Sequence, residues 1–506
     1  MEKKDFLKLQ NGSDVRGIAA EGIEGEHVNL TIEAVNRIAQ GFARWLSKKT
    51  GKDLASLRIG IGRDSRITGE SLANAAAEGL VSFGVSVTDC SMATTPAMFM
   101  SIVFEETHFD GSIMITASHL PFNRNGLKFF DKDGGLEHED ITEILEYTGE
   151  NTYKTVDDKK SPQNNRKAFT GDFDLITLYA NFLCEKIKNE LSAGEKPLSG
   201  LKIIVDAGNG AGGFFATKIL ASLGADTDGS QFLEPDGTFP NHIPNPENKA
   251  AMESIQAAVL KNKADLGLIF DTDVDRMSAV LPDGTEVNRD AIIALVAAIL
   301  APDYPNSTII TDSVTSDRLT RFLQNELGLK HHCFKRGYKN VINECKKLNA
   351  EGIISPLAME TSGHGALKEN YYLDDGAYLA VKIIIALAKA RKQGKSLASL
   401  IEKLEPLCEA EEIRYKITVE NFAAYGDSVL KEFKARAEKA GLNMPKSHEG
   451  IRISFDDSEK KGWLLLRKSL HDPVMPLNIE GEKAGSAKKI LQEAEKLLAG
   501  FDKLIR

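Results

Sequence analysis

Residues Asp265–Arg276 read DLGLIFDTDVDR. The apolar run Leu266–Phe270 has the length of a buried strand, and it ends in a charged segment. Ligands of open α/β sheets bind outside the carboxyl ends of such strands. Asp271, Asp273 and Asp275 stand at alternate positions, with Arg276 behind them. On extended chain alternate side chains share one face, and like charges gathered there repel unless a cation neutralises them. Oxygen donors of this kind suit magnesium, manganese or calcium. An EF-hand loop is excluded, because it needs glycine and glutamate where counting from Asp271 meets Arg276 and Pro282. A solvated acidic turn is the plainer alternative, and the apolar strand feeding the cluster weighs against it.

Two more runs end in polar clusters. Gly111–Ile115 leads into Ala117-Ser118-His119, and an expected strand at Glu351–Ser355 leads shortly into Glu360-Thr361-Ser362. Elsewhere expected strands alternate with helices: Leu57–Gly62 with Glu70–Phe83, Leu201–Asp206 with Gly213–Leu223, and Ser307–Thr311 with Ser316–Glu326. Such alternation indicates parallel sheets with crossover helices. The last hundred or so residues alternate less strictly, with strands expected at Glu411–Thr418, Gly450–Phe455, Gly462–Leu466 and Pro476–Glu480 and helices at Phe422–Ala440 and Ser486–Leu498. The fold class expected is α/β: three similar mixed α/β domains plus a C-terminal α+β domain around one central cleft. The boundaries drawn are 1–170, 171–286, 287–404 and 405–506, with the polar stretch Thr152–Arg166 as a loop or boundary.

Composition narrows the function. At 506 residues the chain exceeds one ordinary domain, and 42% hydrophobic with 27% charged residues is a globular balance. A net charge of -10 carries no basic footprint, so no nucleic-acid partner is expected. Five scattered cysteines without a CxxC pair argue against disulfides and zinc. The start MEKKDFLKLQ lacks an apolar signal region, and the apolar stretches Ala291–Leu300 and Ala377–Leu387 fall short of the roughly 20 residues of a membrane span. A cytoplasmic protein with no membrane partner is expected.

Chemistry-bearing residues recur in short clusters. Ser118 beside His119 at a strand end suits a nucleophile, outside the GxSxG pattern of hydrolases. Asn125-Gly126 predicts a tight turn that brings Lys128 back beside Ser118. Asp271-x-Asp273 after a strand also fits an aspartyl-phosphate nucleophile, which leaves Asp275-Arg276 and the Ser118 segment unexplained. Glu360-Thr361-Ser362-Gly363-His364 offers hydrogen-bond partners for sugar hydroxyls and one titratable base. Arg467-Lys468-Ser469-Leu470-His471-Asp472-Pro473 suits a phosphate group, or equally a solvated basic loop.

Taken in order, these segments resemble the α-D-phosphohexomutase superfamily, which includes phosphoglucomutase and phosphomannomutase. Asn11–Gly17 (NGSDVRG) is similar to the family's GTDxRG, Ile61–Arg66 (IGRDSR) to its GRDSR, and Thr116–Lys128 (TASHLPFNRNGLK) to its TASHNPxxxNGxK loop. Val205–Gly210 and Pro235–Glu247 resemble its second domain, Asp271–Arg276 its DxDxDR loop, Gly337-Tyr338-Lys339 its sugar loop, and Glu360–His364 its ExSGH, with Asp374-Asp375-Gly376 following. The resemblance implies a four-domain mutase that interconverts hexose 1-phosphate and hexose 6-phosphate through a hexose 1,6-bisphosphate. It implies that Ser118 carries the phosphoryl group and that Asp271, Asp273 and Asp275, with an oxygen on Ser118, hold Mg²⁺. Lys128 and His364 become general acid/base candidates, with Arg16 and Arg276 at the phosphorylated centre. Glu360, Ser362, Tyr338 and Lys339 then bind sugar, and Arg467 and Ser469 grip the phosphate not transferred; where this loop departs from the family pattern, Lys468 and His471 offer compensating charge. Glucose 1,6-bisphosphate is the expected activator, and the competing readings are an Asp271-based phosphatase or phosphotransferase and a non-catalytic sugar-phosphate binder.

The chain departs from the family pattern at Leu120, where asparagine is usual, and at Met359, where glycine often precedes the glutamate. The largest departure is in RxSGTEPxxR, where Leu470, His471 and Pro476 replace glycine, threonine and the second arginine.

Overall fold

The computed structural model describes residues 2–150, 169–458, 460–469 and 472–506. The expected loop Thr152–Arg166, together with Leu470 and His471, lies outside the described residues. The chain divides into two units, 1–288 with 362–399, and 289–361 with 400–506.

Two sheets lie wholly within the first unit. One runs in the order Gln10–Asn11, Asp14–Ile18, Arg124–Asp131, Gly111–Ile115, Arg58–Arg63, Ser86–Met92, Gly171–Asp172. Its central strands Arg58–Arg63 and Gly111–Ile115 are parallel, and Gly111–Ile115 is buried throughout. The helices Ile32–Thr50 and Gly69–Val81 supply apolar residues to the same core, among them Phe42, Leu46 and Leu80. The other sheet runs Glu286–Val287, Met277–Val280, Leu266–Phe270, Ile203–Asp206. Leu266–Phe270 is wholly buried, parallel to Ile203–Asp206 and antiparallel to Met277–Val280. Burial on both faces explains its unbroken apolar run.

The second unit combines a parallel set, Lys330–Cys333, Thr308–Thr311 and Leu357–Met359, with an antiparallel sheet. That sheet is ordered Ile451–Asp456, Lys461–Leu466, Val474–Gly481, Glu409–Ile417, Leu504–Ile505, packed by the helices Phe422–Lys439 and Ser486–Leu497. This is the α+β arrangement expected of the C-terminal part. Among the described residues no helix is long and apolar enough to cross a membrane.

Three local expectations are corrected. Glu351–Ser355 is not a strand: Glu351, Gly352, Ile353 and Ile354 are exposed after the helix Tyr338–Ala350, and the strand is Leu357–Met359. Gly352 adopts φ +82, and the Asn349 side chain caps the segment through Ser355 O at 2.7 Å, so a loop replaces sheet pairing there. Asn125-Gly126 is not a turn but part of the strand Arg124–Asp131, where Gly126 faces Arg16. Its glycine serves close approach, since a Cβ there would lie 2.3 Å from Val15 O. Finally, π-helical turns at Phe215–Leu220 and Phe322–Glu326 interrupt the expected regular helices.

Candidate active site

Ser118 lies three residues beyond the buried strand Gly111–Ile115 and adopts φ +51, a left-handed conformation costly for a residue with a Cβ. Two side chains hold it there. Thr116 Oγ1 accepts from Ser118 N at 2.9 Å, and Arg66 Nη2 donates to Ser118 O at 2.5 Å. Arg66 also donates to the carbonyls of Leu120, Pro121 and Arg124 at 2.6, 2.8 and 2.8 Å, so one guanidinium organises the whole serine loop. Asp64 orients it, accepting from Arg66 N at 2.9 Å and from Thr116 Oγ1 at 2.6 Å. Burial pushes the Asp64 carboxyl up to about 6, against the pull of Arg66 and Thr116. Replacing Arg66 with methionine strands four carbonyls and a buried carboxylate, so a loss of about 3 kcal/mol is expected in denaturant unfolding. A variant within about 0.5 kcal/mol of wild type would contradict this role for Arg66.

The acidic loop meets the serine. Ser118 Oγ donates to Asp271 Oδ2 at 2.9 Å, and Arg276 Nη2 donates to Ser118 Oγ at 3.2 Å. Arg276 Nε donates to the same Asp271 oxygen at 3.1 Å, and Arg276 N donates to Asp271 Oδ1 at 3.2 Å. With both of its oxygens engaged in this way, Asp271 is poorly disposed as a nucleophile, which disfavours the aspartyl-phosphate alternative. Lys128 Nζ donates to Asp273 Oδ2 at 3.0 Å and to Asp275 Oδ2 at 2.5 Å. Thr95, from the helix Thr95–Val103, adds a bond to Asp273 Oδ2 at 2.5 Å.

The carboxylates converge for a reason other than strand alternation. The chain turns after Phe270, with Val274 at φ +64, and one ligand oxygen from each aspartate lies within 4.8 Å of the others. All three are buried, and Asp273 Oδ1 and Asp275 Oδ1 have no hydrogen-bond partner. Burial, together with Asp275 and Asp273, pushes Asp271 well above the usual carboxylate range. Asp275 is held low although burial opposes it, because Lys128 and Arg276 outweigh the burial. Lys128 and Arg276 thus leave three carboxylates under-neutralised, and the orphaned oxygens suit a hard divalent cation.

His364 reaches the same loop through a backbone bridge between Arg276 and His364. Gly363 makes this possible: it has φ +93, and a Cβ there would lie 2.6 Å from Met277 O. His364 Nε2 is 3.6 Å from Asp275 Oδ1, and its Nδ1 is 2.9 Å from Ser362 Oγ. Burial, with Arg276 and Lys128, holds its pKa well below the ordinary value, so the ring is neutral. His119 is likewise pushed down to about 2 by burial, Arg276 and Arg16, and its Nδ1 faces Arg276 Nη2 at 2.5 Å. Arg16 itself donates to Asp14 Oδ2 at 2.9 Å.

The remaining expected residues belong to the second unit. Glu360 is buried and accepts from Gly337 N at 2.6 Å, ahead of Tyr338 and Lys339, which open the helix Tyr338–Ala350. Arg467 is largely buried, its N donating to Pro476 O at 3.0 Å, and Ser469 N donates to Val474 O at 3.0 Å. His471 lies outside the described residues. Burial also holds His331 down at about 4, between Thr311 Oγ1 and Thr320 Oγ1, each at 2.7 Å. A histidine neutral when folded stabilises above its unfolded pKa of 6.5, and that contribution is lost as pH falls towards 4. Unfolding free energy is therefore expected to drop by about 1 kcal/mol for this group between pH 7 and 5.5, and His331→Gln should flatten that slope.

The structure brings Ser118, Lys128, Arg276, His364 and the three aspartates together in one cluster. Sequence reasoning assigned no role to Asp64, Arg66 or Thr95. Asp64 and Arg66 lay within a motif already noted, whereas nothing local marks Thr95.

Three family models match in succession. They are phosphoglucomutase/phosphomannomutase alpha/beta/alpha domain I over residues 8–155, domain II over 179–284 and domain III over 288–407. A phosphoglucomutase of Neisseria gonorrhoeae is 29% identical over 479 residues, covering 94% of both chains. A phosphomannomutase/phosphoglucomutase of Pseudomonas syringae pv. tomato is 28% identical over 484 residues, 94% of this chain and 92% of that one. A crystal structure of a Burkholderia thailandensis phosphoglucomutase/phosphomannomutase family protein superposes with TM-score 0.77 at 25% identity, covering 99% and 98% of the two chains. Matched in order by these domain models and along nearly its whole length by such relatives, the chain belongs to the phosphoglucomutase/phosphomannomutase family and is a mutase enzyme.

Proposed function

We propose that this enzyme interconverts the 1- and 6-phosphates of glucose, mannose or both, with Ser118 as the phosphoryl carrier and a hexose 1,6-bisphosphate as intermediate. The observation that carries the reading is Ser118 Oγ, 2.9 Å from Asp271 Oδ2 in the buried acidic loop and 3.2 Å from Arg276 Nη2. The relatives' names supply the two sugars.

In this reading Asp271, Asp273, Asp275 and an oxygen on Ser118 would hold Mg²⁺, whose charge would offset that of the phosphoryl group. Arg276 directs two donors at the same place, and Arg16 adds positive field. His364, kept neutral, takes the proton of the attacking sugar hydroxyl as the bond from phosphorus to Ser118 Oγ breaks. Lys128 supplies the proton that the departing Ser118 Oγ takes up; in the reverse direction Lys128 accepts it back as Ser118 becomes the acceptor, and His364 returns its proton to the leaving sugar oxygen. The bisphosphate then turns over and returns its other phosphate to Ser118. Glucose 1,6-bisphosphate serves as activator by phosphorylating Ser118 directly.

Ser362 positions His364 and, with Glu360, binds sugar hydroxyls. Tyr338 and Lys339 contribute to sugar recognition, and Arg467, Ser469 and His471 to holding the phosphate not transferred. The same reading takes 1–170, 171–286, 287–404 and 405–506 as the four domains. The test is a coupled assay with glucose 1-phosphate and then mannose 1-phosphate, containing Mg²⁺ and catalytic glucose 1,6-bisphosphate. Turnover of either supports the reading, and the kcat/KM ratio ranks the sugars. A Ser118 phosphoenzyme that turns over neither would refute the substrate assignment.

A further inference from the structure

Arg467 has an unusual electrostatic setting. Its guanidinium is largely buried, and Nε has no hydrogen-bond partner. Burial, and the nearby charge of Arg336, lower its pKa. The Glu449 carboxylate stands 3.9 Å from Arg467 Nη1, close enough to be felt and too far for a hydrogen bond.

Glu449 is held back by other donors. Its Oε2 accepts from Ser313 Oγ at 2.5 Å and from Arg336 N at 3.0 Å. Two further carboxylates act on Arg467 and are engaged elsewhere: Glu412 with Arg414 and Asn478, and Asp312 with Thr361 and Arg336. Arg467 is thus a half-neutralised cation whose carboxylate neighbour is tied to Ser313 and to the segment preceding the sugar loop.

We infer that Glu449 is a resident anion of the Arg467 site, which weakens the grip of Arg467 on the substrate's non-reacting phosphate so that the bisphosphate can let go and turn over. This rests on the reading of Arg467 as a phosphate-binding residue. The physical basis is repulsion: a phosphate dianion drawn to Arg467 also faces a fixed negative charge a few ångströms away, in a partly desolvated place. A mutase whose intermediate must leave and return by either end gains from a distal site that does not hold too tightly. Glu449 is therefore a positioning and charge-tuning residue, and it takes no part in bond making.

Two variants separate charge from structure. Glu449→Gln keeps an acceptor oxygen for Ser313 and Arg336 N while removing the charge. Inorganic phosphate, measured by calorimetry and by thermal shift on the full chain, should bind on the order of tenfold tighter. KM for glucose 1-phosphate should fall and kcat should fall with it, because release slows. Ser313→Ala removes a donor that restrains the carboxylate, so phosphate binding should weaken. A merely structural role for Glu449 would weaken binding in both variants, and that outcome, or unchanged affinity in Glu449→Gln, overturns the inference. Arg467→Ala is the control for the underlying reading. Wild-type phosphate affinity in that variant would remove Arg467 from phosphate binding, and the inference with it, whatever Glu449→Gln does.

Discussion

Ser118→Ala is expected to lower mutase turnover by a factor on the order of 10⁴ or more, while the protein still folds. The serine oxygen is the atom that both accepts and returns the phosphoryl group in the proposed cycle. Asp271 is engaged by Arg276, and Arg276 and Lys128 carry no transferable oxygen. Alanine tolerates φ +51 about as poorly as serine does, and the Arg66 bond to the residue 118 carbonyl survives, so the loop keeps its support. The variant should take up no phosphate from labelled glucose 1,6-bisphosphate, whereas the wild-type phosphoenzyme should resist acid and hydroxylamine as a serine ester does. Residual turnover above a tenth of wild type would remove Ser118 from the cycle, and a hydroxylamine-labile phosphoenzyme would restore the aspartyl reading.

Asp273→Asn should separate activity from stability. Three buried carboxylates share two fixed cations, Lys128 and Arg276, and Asp273 and Asp275 each keep one oxygen without a partner. Removing one charge balances the cluster in the absence of metal and disables it as a divalent-cation site. The variant should lose on the order of 10³-fold in turnover, because charge neutralisation is most of what phosphoryl transfer asks of the protein. In chelator, its Tm should equal or exceed that of the wild type, since repulsion among the carboxylates is relieved. Added Mg²⁺ should raise the wild-type Tm and leave the variant's nearly unmoved. A Tm in chelator well below wild type would show that Asp273 contributes through its bonds to Lys128 and Thr95 more than through its charge.

What could be read from the sequence was local. Leu266–Phe270 and Gly111–Ile115 are unbroken apolar runs because both faces of their sheets are covered, and the polar residues that follow sit where such strands release the chain. Ser118, the three aspartates, Arg276 and His364 were therefore identifiable as chemistry before any contact was known. Ile353 to Met359 offers apolar residues in more than one register, and pairing of Leu357–Met359 with Thr308–Thr311 decides which of them form the strand. Gly126 shows the same limit: glycine signals either a turn or a close approach, and only the neighbouring strand with Val15 distinguishes them.

The sequence by itself determined the family and the fold class, because periodicity and motif order are properties of neighbours along the chain. The tertiary structure alone decided that Arg66 cradles the serine loop from 52 residues away, that Thr95 and Lys128 bind Asp273 across 178 and 145 residues, and that Glu449 stands beside Arg467. Those contacts are electrostatic and hydrogen-bonding matches between distant segments, whose partners are set by how the buried sheets stack and not by any local pattern.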